Sequence, residues 1–548
     1  MLRLSNLSLP LDYTESTLRS LILKKLKCPD ASLLSFSVVR RSVDAREKGD
    51  VHFVVSVHLK LKDEAVFLKK YKFLSPVSAP RPQPLPASSL SSRPLVVGAG
   101  PAGLFAALTL ASAGARPILI ERGKPVDRRT RDVDRMSEDG LLDPESNVQF
   151  GEGGAGAFSD GKLTCGIKSP WMQQVLETFV AHGAPPEILI DQKPHIGTDR
   201  LKSVVASIRR EIIALGGEVF FETRLDRLLL HGARVTGALV SRPAGADSPS
   251  ASSAPDSSGS RISWEIRTDT VLLCVGHSAR DTMHELFSQG VIMEPKPFAM
   301  GVRIEHPRTL IDHSQYGSFA GHPALGAASY KLVCHTPDGR GVYTFCMCPG
   351  GRVIAAASEP GGVVTNGMSL HARADENSNA ALLVGVRPED FGEDHPLAGY
   401  VLQRAIERAA FRAGGETFRA PAQRVEDFLA DRETRSFGSV QPSYRPGVVP
   451  ADLRAVLPPF LTENLKRGIR AMDAQLRGFA LPDAVLTGPE TRSSSPVRLL
   501  RSASGEAEAF MGLYPVGEGA GYAGGIVSAA IDGISIARSV LQQGSRNG

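Results

Sequence analysis

The sequence predicts an α/β protein with a three-layer fold, split in the chain around a mixed α+β domain and preceded by a small α+β module. Three observations carry this. A short apolar strand at 94–97 runs into Gly98-Ala-Gly100-Pro-Ala-Gly103 and then a helix. A second strand–glycine–helix unit, "LYPVGEGAGYAGGIVSAAIDG", lies far along the chain at 513–533. Between the two, the pattern shifts to strands and an amphipathic stretch at 399–413.

Residues 1–75 read as the small module. "LRLSNLSLP" alternates as a strand does, and Ser16–Lys27 spaces Leu18, Leu21, Ile22 and Leu26 as a helix does. "LLSFSVVRRSV" and "VHFVVSVHLKL" read as two more strands, giving half of a ferredoxin-like pattern. Residues 76–93, rich in Pro and Ser, read as a linker. Residues 94–284 are expected to form the first part of the split domain, including a β-meander interrupted at 243–260. That interruption has no core-forming residues and is expected to be disordered. Residues 285–480 read as the inserted second domain, and 481–548 as the return to the first.

The 548 residues carry a net charge of +5, too little to imply a polyanionic partner. Residues 1–75 hold a charge of +6 by themselves, from 14 Lys/Arg against 8 Asp/Glu. Six cysteines include no CxxC pair and no zinc spacing, so no metal site is expected. Cysteine usage and a start without signal-peptide architecture point to a cytoplasmic protein. The apolar run at 94–120 is broken by Gly98, Gly100, Gly103 and Gly114 and is not expected to span a membrane.

The first fingerprint has the context its physics demands. Gly98 permits the tight turn, Gly100 gives a pyrophosphate room beside the backbone, and Gly103 lets helix and strand close together. Pro101 and Ala102 open the helix, whose N-terminus favours phosphate. "RPILIE" is the next strand and ends in Glu121, suited to ribose hydroxyls, with Arg122 after it. An acid there favours FAD or NAD over NADP. The second cluster has no βαβ unit of its own, so it is read as completing the first site. Strand 513–516 leads through Gly517 to Glu518, and Gly524, Gly525 and Ile526 begin a helix whose N-terminus suits the negative charge of a reduced flavin. The glycine-dense loop 150–163 and the strand end at Gly276 supply further backbone approach. Together these favour one FAD.

The set "VVGAGPAGL…ILIERG", "LLCVG" and "GLYPVGEGAGYAGGI" resembles the glutathione-reductase/p-hydroxybenzoate-hydroxylase class of FAD proteins. "VQFGEGGAGAFSDGKL", "PFAMGVRIEHP", "YTFCMCPGG", "TFRAPAQRVEDFL" and "GPETRSSSPVRL" narrow this to a resemblance with FAD-dependent dehydrogenases, also called NAD/FAD-utilising oxidoreductases. The resemblance covers nearly the whole chain. It implies an FAD-binding Rossmann-like three-layer fold split around a mixed α+β substrate domain; the sequence shows no covalent-flavin His motif, so the FAD is expected to be noncovalent. By position it puts Gly98, Gly100, Gly103 and Glu121 on the ADP half, Gly153 and Gly154 near the flavin, and Glu518, Gly525 and Ile526 on the ribityl chain and ring. It makes Leu225 a backbone partner of adenine. Cys165 stands where the family would have threonine.

Four residues are candidates for chemistry. Arg492, in a polar cluster with Arg498, suits an anionic group on a small-molecule substrate, or else an ion-paired loop. Arg303 in "GVRIEHP" is a similar candidate. Cys346 and Cys348 would share a strand face, either as a redox pair or as two small buried residues. The reading is an oxidoreductase moving a hydride between flavin N5 and an organic substrate, with NAD(P)H restricted to a transient, non-Rossmann site and the electron donor or acceptor open. The alternative is a flavoprotein that acts on RNA through its basic module, although that module carries no RNP signature.

Overall fold

The computed structural model describes residues 1–77, 84–244 and 261–547. The N-terminal module comprises β1 (Leu2–Leu9), α1 (Glu15–Leu26), β2 (Leu33–Asp44), β3 (His52–Leu61), α2 (Glu64–Lys70) and β4 (Leu74–Pro76). Its strands form one antiparallel sheet in the order β2-β3-β1-β4. A capping box at Thr14 starts α1, which buries Leu18, Ile22 and Leu26 at four-residue spacing. The module docks through β2: the Arg41 N–H donates to Ile190 O, and the Arg41 side chain pairs with Asp191 at 2.9 Å.

The first part of the split domain holds β5 (Leu95–Val97), α3 (Pro101–Ser112), β6 (Ile118–Ile120), α4 (Val126–Asp139), α5 (Met172–Ala181), α6 (Thr198–Ala214) and β7 (Glu218–Phe220). There follow the meander β8 (Arg224–His231), β9 (Arg234–Pro243) and β10 (Arg261–Arg267), then β11 (Val271–Leu273) and α7 (Arg280–Ser288). The central sheet is parallel throughout. Its two faces separate at the two-residue period of a strand. Val96, Leu119 and Leu272 pack with the helices, while Leu95, Val97, Ile120 and Val271 pack with the meander and α7. These are three layers.

The second domain begins at β12 (Met293–Pro295) and β13 (Phe298–Pro307), followed by α8 (Arg308–Tyr316), β14 (Val333–His335), β15 (Gly341–Cys348), β16 (Arg352–Ala355), β17 (Thr365–Met368) and β18 (Asn377–Val386). It continues with α9 (Ala398–Ala413), β19 (Ala420–Arg424), α10 (Val425–Leu429), β20 (Val448–Pro450), α11 (Pro459–Asp473) and β21 (Val485–Glu490). Its main sheet runs β14-β15-β18-β13-β21-β19-β20. Because β21 pairs with β13 and β19, the second domain continues beyond the expected boundary at 480. The chain leaves through β22 (Val497–Leu499), antiparallel to β12, so entry and exit lie side by side. It then adds β23 (Leu513–Pro515) to the parallel sheet, in the order β23-β11-β5-β6-β7, and ends the described chain in α12 (Ile526–Asn547). α12 crosses α3 closely, since a Cβ on Gly533 would lie 2.2 Å from Ala102 O.

Residues 84–93 of the expected linker pack on the split domain: Pro84 O accepts from Arg538, and the Ser91 and Ser92 hydroxyls donate to Asp269. Residues 78–83 lie outside the described residues. So does the expected insert from 245 onward, which leaves only Pro243 and Ala244 described. Its two ends meet, because Pro243 pairs directly with Arg261 across the β9–β10 ladder. Replacing residues 244–260 by a two-residue Asn-Gly turn is therefore expected to leave flavin content unchanged. Each halving of loop length lowers the closure cost by about 0.6 kcal/mol, so the melting temperature should hold or rise slightly. A lower melting temperature by differential scanning fluorimetry would show that the segment contributes packing.

Candidate functional site

β5 runs straight into the fingerprint turn, whose glycines are of two kinds. Gly98 has φ +104°, and a Cβ there would lie 2.7 Å from Cys274 O. A Cβ on Gly103 would lie 1.8 Å from Gly98 O, so this glycine lets α3 close on β5. Gly100 has an ordinary φ of −74°. Its Cβ would meet protein only at Gly154 Cα, 3.8 Å away. The space beside Gly100 belongs to a cavity of about 1020 Å³ lined by both domains.

Pro101 and Ala102, at the start of α3, line this cavity with Gly276 from the end of β11. Ile120, Glu121 and Arg122 line it from β6, as do Thr223, Arg224 and Leu225 from the meander. A Cβ on Gly276, Gly524 or Gly525 would meet nothing within 4 Å. Gly524, Gly525 and Ile526 bring the N-terminus of α12 to the wall, and Ala529 N donates to Gly525 O. Fingerprint turn, strand end and α12 thus form a cradle of backbone and helix N-termini that side chains would fill. That is what a pyrophosphate and a flat ring require.

The glycine loop completes the cradle, with two differences from expectation. A Cβ on Gly153 would meet Ala157 and Val205, so Gly153 faces α6, while Gly154, Ala155 and Gly156 line the cavity. Gly517 is turned away too, its N–H bound to Asp532 and its α-carbon against Ala102. Glu121 is already busy: its carboxylate accepts the N–H groups of Ala99, Gly123 and Gly151 at 2.8–2.9 Å. Of roughly four acceptor sites on a carboxylate, about one is left for a ribose hydroxyl. Glu121 therefore organises the turn as much as it can bind a ligand. Arg122 lies over the Phe150 ring at 4.1 Å and pairs with Glu145 and Asp281.

Comparison with known proteins agrees with the cradle. Residues 92–132 match an FAD binding domain. Residues 297–493 match the family described as FAD-dependent protein, C-terminal domain-like. Residues 1–60 match a domain of unknown function. A protein of Clostridium beijerinckii, described as uncharacterized, is 45% identical over 547 residues, covering 99% of each chain. The chain belongs to one family with this clostridial protein, and it is an FAD flavoprotein. Among solved structures, flavin-dependent brominase Bmp2 aligns at 11% identity and TM-score 0.38, over 83% of this chain and 79% of its own. Glycine oxidase from Bacillus cereus aligns at 9% identity and TM-score 0.30, over 83% and 95%.

Where the second domain closes the flavoprotein's cavity, the structure rearranges the expected chemistry. Arg492 lines the wall but is 7% exposed and makes four hydrogen bonds, to Glu407 (two), Ser278 and Ser358. Glu407 is shared with Arg280 from α7 and also accepts the Thr491 hydroxyl. The guanidinium expected to meet a substrate anion is thus committed to a buried Arg280–Glu407–Arg492 cluster. Arg303 is fully buried. It pairs with Glu490 through two nitrogens and donates to Asn366, Asn379 and the Cys346 carbonyl. It does not itself line the cavity but holds Glu490, Asn366 and Cys346, which do. Arg498 pairs with Glu294 and lies over Tyr522.

The expected shared face of Cys346 and Cys348 is altered by a bulge in β15 between Phe345 and Cys348. Cys346 has φ +39° and lines the cavity, whereas Cys348 is buried and donates its thiol to Cys346 O. The Cys348 thiol beside it, then Lys162 and Arg303, hold the Cys346 thiol below its ordinary value despite burial. Cys165 lines the wall. His195 stacks on His371 at 5.1 Å and contacts His371 O, a partner no local pattern announces.

Glu518 lines the wall beside His277, 3.9 Å away. Burial in the cavity pushes its carboxyl up to about 7, with Lys296 opposing. Between the ordinary carboxylate value and 7, the folded chain holds a proton that the unfolded chain has lost. Stability should therefore fall as pH rises through that window. Glu518→Gln should flatten this slope in FAD-free protein, by on the order of 1 kcal/mol between pH 5 and 8. Parallel urea titrations of both proteins across that range check it, and identical slopes would remove Glu518 as the cause.

Proposed function

We propose that the protein is an FAD-dependent oxidoreductase acting on a small organic substrate bound between the flavin and the second domain. One observation carries this: the cavity that holds the fingerprint turn and the start of α12 is also walled by second-domain residues, among them Tyr330, Thr344 and Cys346. Bound FAD supplies the chemistry, a hydride accepted or released at N5. The chain's own groups do the rest. The N-terminus of α12 favours negative charge at the flavin end, and Glu518, poised near neutrality, can hold or release a proton at the wall. The second domain excludes water. The Rossmann-like unit is committed to FAD, so NAD(P)H, if it is the donor, takes a transient place in the same cavity.

The test is anaerobic. Purified FAD-loaded protein is mixed with NADH, NADPH and a metabolite panel, and the flavin absorbance is followed. Bleaching by one donor and recovery with one acceptor are expected. A flavin that stays oxidised against the whole panel, and after photoreduction stays reduced against it, overturns the reading.

A further inference from the structure

The wall between the glycine loop and the second domain carries cations that the flavin cradle does not use. Segment Asp160–Leu163 runs antiparallel to Pro194–Gly197, with Leu163 N donating to Pro194 O and Ile196 N to Gly161 O. This register brings Lys162 and Lys193 to the cavity. Arg373, a non-glycine residue at φ +49°, joins them from the second domain and chelates Asp160 at 2.9 and 2.5 Å. Asp160 also accepts the Ser369 hydroxyl, so its charge is spent on Arg373 and Ser369. Lys162 Nζ is 3.8 Å from Asp160, is itself buried, and makes no hydrogen bond among the described residues. Lys193 Nζ donates to Ser329 Oγ at 3.2 Å. Lys193 is exposed to solvent, yet partial desolvation, with Lys162 and Arg373 adding to it, pushes its ammonium below its ordinary value. Next along the same wall, the buried Tyr330 hydroxyl has no partner among the described residues.

Three cations around one carboxylate leave positive charge on this wall, and the buried, unpartnered Lys162 ammonium costs free energy unless an anion meets it. We propose that Lys162 and Lys193, positioned by the Asp160–Arg373 pair, receive an oxyanion group of the substrate, carboxylate or phosphoryl. The proposal rests on reading the cavity as a shared flavin and substrate site. It moves anion recognition from Arg492 and Arg303, whose donors are committed, to Lys162 and Lys193. The N-terminus of α3, with Gly98 and Gly100, would take the flavin's own phosphates.

The experiment uses the FAD-loaded full chain, titrated with succinate and with inorganic phosphate at matched ionic strength. The readouts are the flavin difference spectrum and the melting temperature. Saturable binding of at least one probe is expected, succinate indicating a carboxylate and phosphate a phosphoryl group. In Lys162→Gln and Lys193→Gln, flavin content should stay at one per chain while the probe binds about ten- to a hundredfold more weakly. Lys193→Arg should keep most of the affinity. The proposal is overturned if neither probe binds wild type, if both Gln variants bind unchanged, or if they lose FAD, which would make the lysines cofactor ligands. Failure of the oxidoreductase reading would appear instead in the anaerobic redox assay, whatever the probes do.

Discussion

Gly100→Val is expected to yield a folded protein almost free of flavin. The backbone at Gly100 is extended, a conformation valine favours, and its Cβ would meet only Gly154, at 3.8 Å. The added atoms would instead occupy the space the cradle leaves for the pyrophosphate. Overpacking of roughly 3 kcal/mol corresponds to about a hundredfold weaker binding or worse. Flavin content by absorbance should collapse while circular dichroism stays native. Gly103→Ala is the contrasting control. Its Cβ would lie 1.8 Å from Gly98 O, so it should damage the fold itself. A Gly100→Val protein carrying full flavin would show that the phosphates lie elsewhere.

Glu407→Gln should be among the most damaging changes in the second domain. Its carboxylate takes two hydrogen bonds from Arg280, two from Arg492 and one from Thr491, joining α7, α9 and the exit strand region. Removing its charge leaves the buried Arg492 guanidinium with no carboxylate partner among the described residues and Arg280 with only Glu359, at 3.3 Å, a loss of about 3–5 kcal/mol. Burial alone would raise the Glu407 carboxyl, but Arg492 and Arg280 outweigh that and hold it well below the usual range. A depressed value means this stabilisation is present at every pH above the ordinary carboxylate range and is lost only as pH falls towards the folded value. The urea midpoint at pH 7 measures the effect. Glu407→Gln/Arg492→Met, which removes one stranded charge, should recover part of the loss. If the double variant is worse than the single one, the cluster is not held by charge.

What could be read from the chain follows the range of the forces involved. The fingerprint was legible because its three glycines recur at a fixed short spacing between a strand and a helix, although Gly98 and Gly100 face Cys274 and Gly154 much further along the chain. The meander was legible because β8, β9 and β10 follow one another in chain order, with only the insert between β9 and β10. The later part of the N-terminal module was not: α2 and β4 have 7 and 3 residues, too few for a period to declare itself. β21 was assigned to the wrong side of a boundary because only its pairing with β13, far back in the chain, shows its sheet. The arginines failed for the same reason. Arg492 is settled by Glu407, 85 residues away, and Arg303 by Glu490, 187 away. Lys162 and Lys193 lie on irregular segments with no periodicity, although Lys162 lies within the glycine-dense loop itself.

The parallel sheet is assembled out of chain order, and this sets a timetable. β5, β6, β7 and β11 all leave the ribosome before the second domain does, but β11 then has one open edge and α3 has no α12 to pack on. Only when residues 513–534 have been made can β23 cover that edge and Gly533 settle against Ala102. The vitamin-derived cofactor must therefore be captured after nearly all of this sequence has been translated. Until then the nascent protein carries an exposed strand edge and an uncovered apolar helix, the features chaperones bind. Riboflavin-starved cells should still assemble the sheet, but as a flavin-free protein that melts at a lower temperature than the loaded one, because the bound cofactor adds its binding free energy to the fold.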